Sequence, residues 1–204
     1  MSKTDLSTEE KIKEAAKKVF LEKGFGSATT RDIAECADTN IALVNYYFRS
    51  KERLFQEIFR ESFGETFLPV ARILNDDLPL EVKIYKFVDH MIELLKRDPQ
   101  LPLFVLSEMR GEHSKFCESM AEMHDTEVNR FQQQLEAEAA KGHIRKTDFA
   151  QVEISLMSMV IFPFISMNML KMKKNLSTEE FYRLMDERKK AIPEMILTYL
   201  RYKE

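Results

Sequence analysis

The stretch Thr29-Thr30-Arg31-Asp32-Ile33-Ala34-Glu35-Cys36-Ala37-Asp38-Thr39-Asn40-Ile41-Ala42-Leu43-Val44-Asn45-Tyr46-Tyr47-Phe48 decides how this chain is read. Thr29-Thr30 caps a short helix running to about Ala37, with Ile33, Ala34 and Ala37 turned inward. Asp38-Thr39-Asn40 makes a tight turn, since Asp and Asn tolerate turn backbone angles and cap helices. A second short helix follows from about Ile41 to Phe48. Two short helices joined by a three- or four-residue turn form a helix-turn-helix, whose second helix lies in the major groove of DNA while the first crosses the backbone. Ile33, Ala37, Ile41, Val44 and Phe48 supply a small core. Asn40, Leu43, Asn45 and Tyr46 are left to point outward, and Arg49, Lys51 and Arg53 follow at once.

The flanking sequence supports that head. Ser7-Thr8-Glu9-Glu10 reads as a capping box, and Ile12, Ala15, Ala16, Val19 and Phe20 form a helical stripe that Gly24 ends. Ser50 caps a fourth helix bearing Leu54, Phe55, Ile58, Phe59 and Phe63 on one face, with a bend or end expected at Pro69. A linker near residues 75–79 precedes a helix over about 80–96 and a short one through about Arg110. A long helix over about 114–141 then ends at Gly142. Thr147-Asp148 opens an apolar helix to Leu170, and a second capping box, Ser177-Thr178-Glu179-Glu180, starts the last helix. Pro163 and Pro193 fall inside these two helices, each predicting a kink. The fold class is therefore all-α. The boundaries are a head at 1–53, a connecting helix at about 51–70, and a helical ligand-binding and dimerisation domain at 54–204.

Composition agrees. The 204 residues are 44% apolar and 32% charged, with only 5 Gly and 6 Pro, which favours long helices over strands. Net charge is −3, so nucleic acid would need a local basic patch. Residues 1–60 hold 11 Lys/Arg against 10 Asp/Glu, the remainder 20 against 24: a near-neutral head on an acidic body. Cys36 and Cys117 form no metal-spaced pair, four scattered histidines add no zinc pattern, and neither a metal nor a cofactor is expected. No Ser/His/Asp set, Gly-rich phosphate loop or paired acid suggests an enzyme. Residues 1–11 are polar and do not read as a secretory signal. Ile154–Leu170 is uncharged, but its serines, Asn168 and Pro163 mark a buried helix rather than a membrane span. A cytoplasmic protein is expected.

The segment from Thr29 to Glu35, continued by Asn45-Tyr46-Tyr47-Phe48-Arg49-Ser50-Lys51-Glu52-Arg53-Leu54-Phe55, resembles the TetR family of bacterial regulators, whose head ends in a Tyr-Phe-x-x-Lys-x-x-Leu signature. Ala15-Ala16-x-x-Val19-Phe20-x-x-x-Gly24-Phe25 fits the same pattern. The resemblance covers roughly residues 10–60. It implies DNA contacts by Thr30 and Arg31 at the start of the second helix, and by Asn40, Ala42, Leu43, Asn45 and Tyr46 on the recognition helix. It also implies a phosphate clamp by Tyr47 and Lys51, and the N–H groups after Ser50 suit a phosphate too. The chain departs from the family pattern at Asp38, where Gly is usual, at Ile41, where a basic or small residue is frequent, and at Arg49, where Pro is frequent. Those departures touch the base sequence recognised.

The resemblance further implies a homodimer through the two C-terminal helices, about 148–171 and 177–201, binding a palindromic operator in double-stranded DNA. It also implies a small apolar ligand inside the body that releases the operator. Met and Phe are abundant there, and Met91, Phe104, Met109, Met123, Phe131, Met157 and Phe162 are the expected ligand contacts, because flexible Met side chains suit a plastic pocket. Met120, Met159 and Met167 belong to the same set. Glu108, Arg110 and His113 are candidates for its polar end. The repressor reading stands beside a ligand-independent regulator or activator, and beside a helix-turn-helix interaction module without DNA binding.

Overall fold

The structure, a computed structural model, describes residues 7–109 and 129–202. Ten α-helices and no strand occur among them: α1 (Thr8–Ser27), α2 (Thr30–Cys36), α3 (Ile41–Phe48), α4 (Lys51–Asn75), α5 (Leu80–Arg97), α6 (Leu101–Met109), α7 (Asn129–Ala140), α8 (Phe149–Ile165), α9 (Met167–Lys174) and α10 (Thr178–Arg201). The chain divides into two compact units. A head comprises Met1–Glu65 and Leu103–Ser114, and a body comprises Thr66–Pro102 and Lys115–Glu204. Arg110, His113, Cys117, Met120 and Met123 lie outside the described residues, as do the side chains of Glu108 and Met109.

Most helix starts carry the caps written in the sequence. Ser7 with Glu10, Thr29 with Asp32, and Ser177 with Glu180 form reciprocal capping boxes, so orphan N–H groups at each start find acceptors. The C-terminal ends are equally local. Gly24 (φ 73°) breaks the helical backbone of α1 before its last turn. Asp38 (φ 49°), Gly142 (φ 72°) and Asn175 (φ 50°) take left-handed backbone just past α2, α7 and α9. In each, two N–H groups fold back onto the last carbonyls, as Asp38 does to Glu35 (3.2 Å) and Thr39 to Ala34 (2.9 Å). Asp38 thus performs the turn that a glycine more often makes, a backbone that short polar side chains can adopt.

In the body, α5 packs one face against α10 and α8. Ile84, Val88, Ile92 and Leu95 from α5, Val152, Leu156 and Val160 from α8, and Phe181, Met185, Ile192 and Leu200 from α10 are all buried. Around this core runs an ion-pair network. Lys189 meets Glu93 (2.5 Å) and Asp89 (3.1 Å), while Lys96 meets Asp186 (2.7 Å) and Glu93 (3.3 Å). The C-terminal carbonyls of α4 are closed by cations: the buried Lys83 donates to Leu74 (2.8 Å) and Arg130 to Asn75 (3.0 Å).

Prolines act differently from expectation. Pro69 neither ends nor interrupts α4, which continues to Asn75. Pro163 lies within α8, and the chain breaks only at Ser166, where α8 and α9 meet at 68°. Pro163 lacks the N–H that would bond the carbonyl of Met159, four residues back. Arg188 of α10 supplies the missing donor, its guanidinium reaching the Met159 carbonyl at 2.8 Å. Among the described residues no single helix is long and apolar enough to cross a membrane. The α8–α9 pair would pass by composition only, and it is sharply bent.

Arg188→Met should therefore destabilise the body by about 1 kcal/mol or more, the cost of leaving a partly buried carbonyl without its donor. In a Pro163→Ala background, where the N–H returns, the same change should cost clearly less; a double-mutant cycle in urea measures the coupling. A pH effect follows from the network. Lys189 and Lys96 hold Glu93 low, and Lys96 and Lys189 do the same for Asp186. The stability these pairs lend is present above the ordinary carboxylate range and is lost as pH falls through the lowered folded-state values. Urea midpoints should drop on acidification, and less steeply in Glu93→Gln/Asp186→Asn.

Candidate nucleic-acid interface

The head core is built from apolar positions on α1, α2, α3 and α4. Ile12, Val19 and Phe20 of α1, Ile33 of α2, Val44 and Phe48 of α3, and Leu54 and Ile58 of α4 are essentially without solvent contact. Phe20, Phe25 and Phe55 stack at 4.9–5.7 Å. Burying several aromatic and branched side chains stabilises a unit this small by roughly 1.5–3 kcal/mol each, which is why three helices of 20, 7 and 8 residues hold together. Phe104 of α6 completes this cluster, 3% exposed and 5.7 Å from the Phe55 ring. Its assignment to a ligand pocket in the body is corrected: the side chain is head core.

Ion pairs fasten the outside. Lys13 sits among Glu9, Glu57 and Glu61 at 2.5–3.3 Å, tying α1 to α4. Burial lowers its pKa, but the three carboxylates outweigh that and hold it above the ordinary lysine value. Lys23 bonds Asp32 at 2.7 Å, and this contact with the Thr29 capping bonds holds Asp32 at about 2.

Core packing decides which face of α3 is free. Ile41, Val44 and Phe48 turn inward, so Ala42, Leu43 and Tyr46 occupy the opposite side, flanked by Asn45 and Tyr47. Tyr46 is 77% exposed, Leu43 and Tyr47 40% each, and Ala42 and Asn45 are exposed as well. Tyr46 and Tyr47 meet edge to face at 5.3 Å. Asn40 is the N-cap, its side-chain oxygen accepting from the Ala42 N–H at 2.8 Å. Thr30 is half-buried at the start of α2, and Arg31 is exposed beside it. The structure thus brings Thr30, Arg31, Asn40, Ala42, Leu43, Asn45, Tyr46 and Tyr47 onto the two helices of one helix-turn-helix. Arg49, exposed, ends α3 with φ 61°, a backbone closed to the proline frequent at this position.

Lys51 stands apart from that set. Its ammonium donates to the carbonyls of Phe25 (2.7 Å) and Ala28 (2.9 Å) and lies 4.4 Å from the centre of the Phe25 ring. It closes the C-terminal end of α1, with one N–H left over. The N-terminus of α4 is also occupied from within. Ser50 Oγ accepts from the Arg53 N–H at 3.2 Å, and Glu52 is held below its ordinary value by its own backbone N–H and by Ser50. The Ser50 cap is the one expected from the sequence, whereas the long-range bonds of Lys51 were not legible from spacing.

Of the other expected ligand contacts, Met91 and Phe131 are buried in the body, Phe131 edge-on to Phe149 at 6.1 Å, and Met157 is half-buried. Phe162 is 58% exposed and turns outward from the body core, which corrects its placement in an interior pocket. Two open grooves mark the body surface. One, of about 530 Å³, is lined by residues such as Gln132, Leu135 and Phe149. The other, of about 560 Å³, includes Arg145, Met195 and Tyr199. Among the described residues, none of the expected contacts lines either.

Comparison with known proteins places the head. Residues 12–58 match the family of bacterial regulatory proteins called the tetR family. The chain is 26% identical over 163 residues to the probable HTH-type transcriptional regulator YttP of Bacillus subtilis, covering 78% of each chain. It is 26% identical over 140 residues to the HTH-type transcriptional repressor NicS of Pseudomonas putida, covering 68% of this chain and 66% of NicS. In fold it resembles the fatty acid degradation regulator FadR of Bacillus halodurans, with a TM-score of 0.65 at 20% identity, covering 98% of this chain and 100% of that one. FadR of Bacillus subtilis in complex with stearoyl-CoA gives 0.62 at 17%, covering 94% and 98%.

The capping role of Lys51 is testable without DNA. Lys51→Met leaves two carbonyls without their donor and should lower stability by about 1–3 kcal/mol, several degrees in Tm. A side chain whose only role is to touch phosphate would leave the melting temperature of the free protein unchanged.

Proposed function

For a transcriptional regulator of the tetR family, as the head makes this chain, we propose that it binds a palindromic operator as a homodimer and represses until a small apolar ligand releases it. The observation that carries the DNA-binding part is the exposed, uncovered face of α3, centred on Tyr46, with the exposed Arg31, Arg49 and Arg53 around the same helices. In this reading α3 enters the major groove, and Thr30, Arg31, Asn40 and Tyr47 hold the backbone beside it. Lys51 contributes at most its remaining N–H.

Dimerisation is supported by two apolar faces on the body. Ile154, Ile161 and Phe162 run along α8 opposite its buried stripe. Ala191, Met195 and Tyr199 do the same on α10, with Tyr202 just past its end. Large apolar side chains exposed along one side of a helix support a protein contact there. Pairing the two helices with those of a second copy buries them, and a two-headed dimer would read half-sites about 34–36 Å apart or more, one turn of DNA. The ligand reading assigns Met91, Phe131 and Met157 to the pocket. It takes a long acyl chain as the first candidate, because FadR of B. subtilis is seen with stearoyl-CoA. Such a ligand must bind the released form better than the operator-bound form. The protein would work in the cytoplasm, where DNA and acyl thioesters are both present.

The test is fluorescence anisotropy on the DNA upstream of its own gene against scrambled DNA, across a salt series. Two protomers should bind the upstream DNA specifically, with affinity falling by about a thousandfold or more between 50 and 200 mM salt if six or more phosphates are neutralised. Sequence-blind binding on every fragment would refute operator recognition. Ile154→Glu/Phe162→Glu should sediment as a monomer and lose the operator while keeping its helical content. Acyl-CoA that leaves the operator affinity unchanged would remove it as the inducer.

A further inference from the structure

We propose that the recognition helix reads an operator half-site whose core is A·T, with thymine methyl groups against Ala42 and Leu43 and one adenine edge on Asn45. This rests on the DNA-binding reading above and deepens it. From Asn40 to Phe48 the chain carries no charged side chain. Guanine is read in the major groove by paired donors from Arg or Lys, and the amino group of cytosine by Asp or Glu. α3 offers neither chemistry. What its outward side offers is a methyl, an isobutyl group and an aromatic ring, from Ala42, Leu43 and Tyr46. The base atom that such groups complement is the 5-methyl of thymine.

The amides divide by use. Asn40 has one lone pair of its oxygen engaged by the Ala42 N–H at 2.8 Å, which holds its amide as the N-cap of α3 rather than leaving it free to turn donor and acceptor together onto an adenine edge. Asn45, exposed, is the one amide side chain within α3 and can do so. The surrounding cations are placed for phosphate. Lys51 is turned onto Phe25 and Ala28, and Lys23 is paired with Asp32. Arg49 and Arg53 lie past the C-terminal end of α3, whereas a recognition helix reads bases mainly with its N-terminal residues. Arg31 belongs to α2, the helix that crosses the backbone. Tyr46 adds ring surface against the methyl groups and a hydroxyl within reach of phosphate.

The experiment is selection of operators by the purified full chain from a random duplex library, followed by single-atom changes in the winner. The expected winner is a palindrome with A·T pairs at the centre of each half-site. Replacing a contacted thymine by deoxyuridine, which removes only the methyl, should weaken binding about fourfold per site. Asn45→Ala should weaken it about five- to 150-fold and relax the preference at one adenine only. Leu43→Ala should abolish the deoxyuridine effect at its thymine. Both side chains are exposed, so the melting temperature should stay put. Half-sites with G·C at the positions whose preference shifts in Leu43→Ala and Asn45→Ala would overturn the inference while leaving operator binding intact. Enrichment of no sequence at all would overturn the operator reading and this inference with it.

Discussion

A chain made only of helices has to satisfy its backbone at helix ends, and the structure depends on how those ends are closed. Each α-helix leaves four N–H groups at its start and four carbonyls at its finish. Short helices feel this most: α2 and α3 have 7 and 8 residues, so most of their backbone groups belong to an end. Thr29, Asp32 and Asn40 supply the acceptors, and the left-handed turn at Asp38 returns two donors to the carbonyls of α2. Without those closures the apolar contacts of Ile33, Val44 and Phe48 would have to organise two fragments too short to be helical alone.

The carbonyl ends of longer elements are closed by cations from elsewhere in the chain. Lys51 serves α1, Lys83 and Arg130 serve α4, and Arg188 serves the carbonyl that Pro163 leaves free in α8. Positive charge is favourable at a helix C-terminus, and a charged donor there is stronger than a neutral one. The arrangement has a consequence for function. A cation committed to a carbonyl keeps its charge but has fewer N–H groups free to bond a phosphate, so direct phosphate contacts in the head rest on fewer groups than its count of Lys and Arg suggests. The exposed Arg31, Arg49 and Arg53 surround α3 without belonging to it.

Legibility in the sequence tracks contact range. The ends of α2 and α3 could be read almost to the residue because Thr29, Asp32, Asp38 and Asn40 act within four positions of themselves. The outward face of α3 was readable for the same reason, since helical period alone sets Ile41, Val44 and Phe48 against Leu43 and Tyr46. Phe104 was misread because its partner Phe55 lies 49 positions away, and nothing local distinguishes a head-core phenylalanine from a pocket-lining one. Lys51 carried a family role in its motif and a second role in its distance to Phe25. Pro69 does not end α4, which runs on to Asn75, so of the expected bend or end the end did not occur. The outward turn of Phe162 followed from which stripe of α8 meets the body core, which an almost uniformly apolar helix does not declare.

The division of labour in the head then follows from its charges. Phosphate attraction is long-range and blind to sequence, so it can be supplied by arginines on the margins of the site. Discrimination among bases is short-range and needs surfaces that fit one edge and leave the others unpaired. A neutral α3 separates these tasks. In the proposed mode of binding, losing a marginal arginine weakens every site alike, whereas altering Leu43 or Asn45 changes which site is chosen. The same separation limits the penalty of error. An apolar surface facing a guanine or cytosine edge leaves base donors and acceptors without water and without partners, a cost of about 1–3 kcal/mol per buried group. Rejection of the wrong base by that desolvation lets a short helix with little charge of its own be selective.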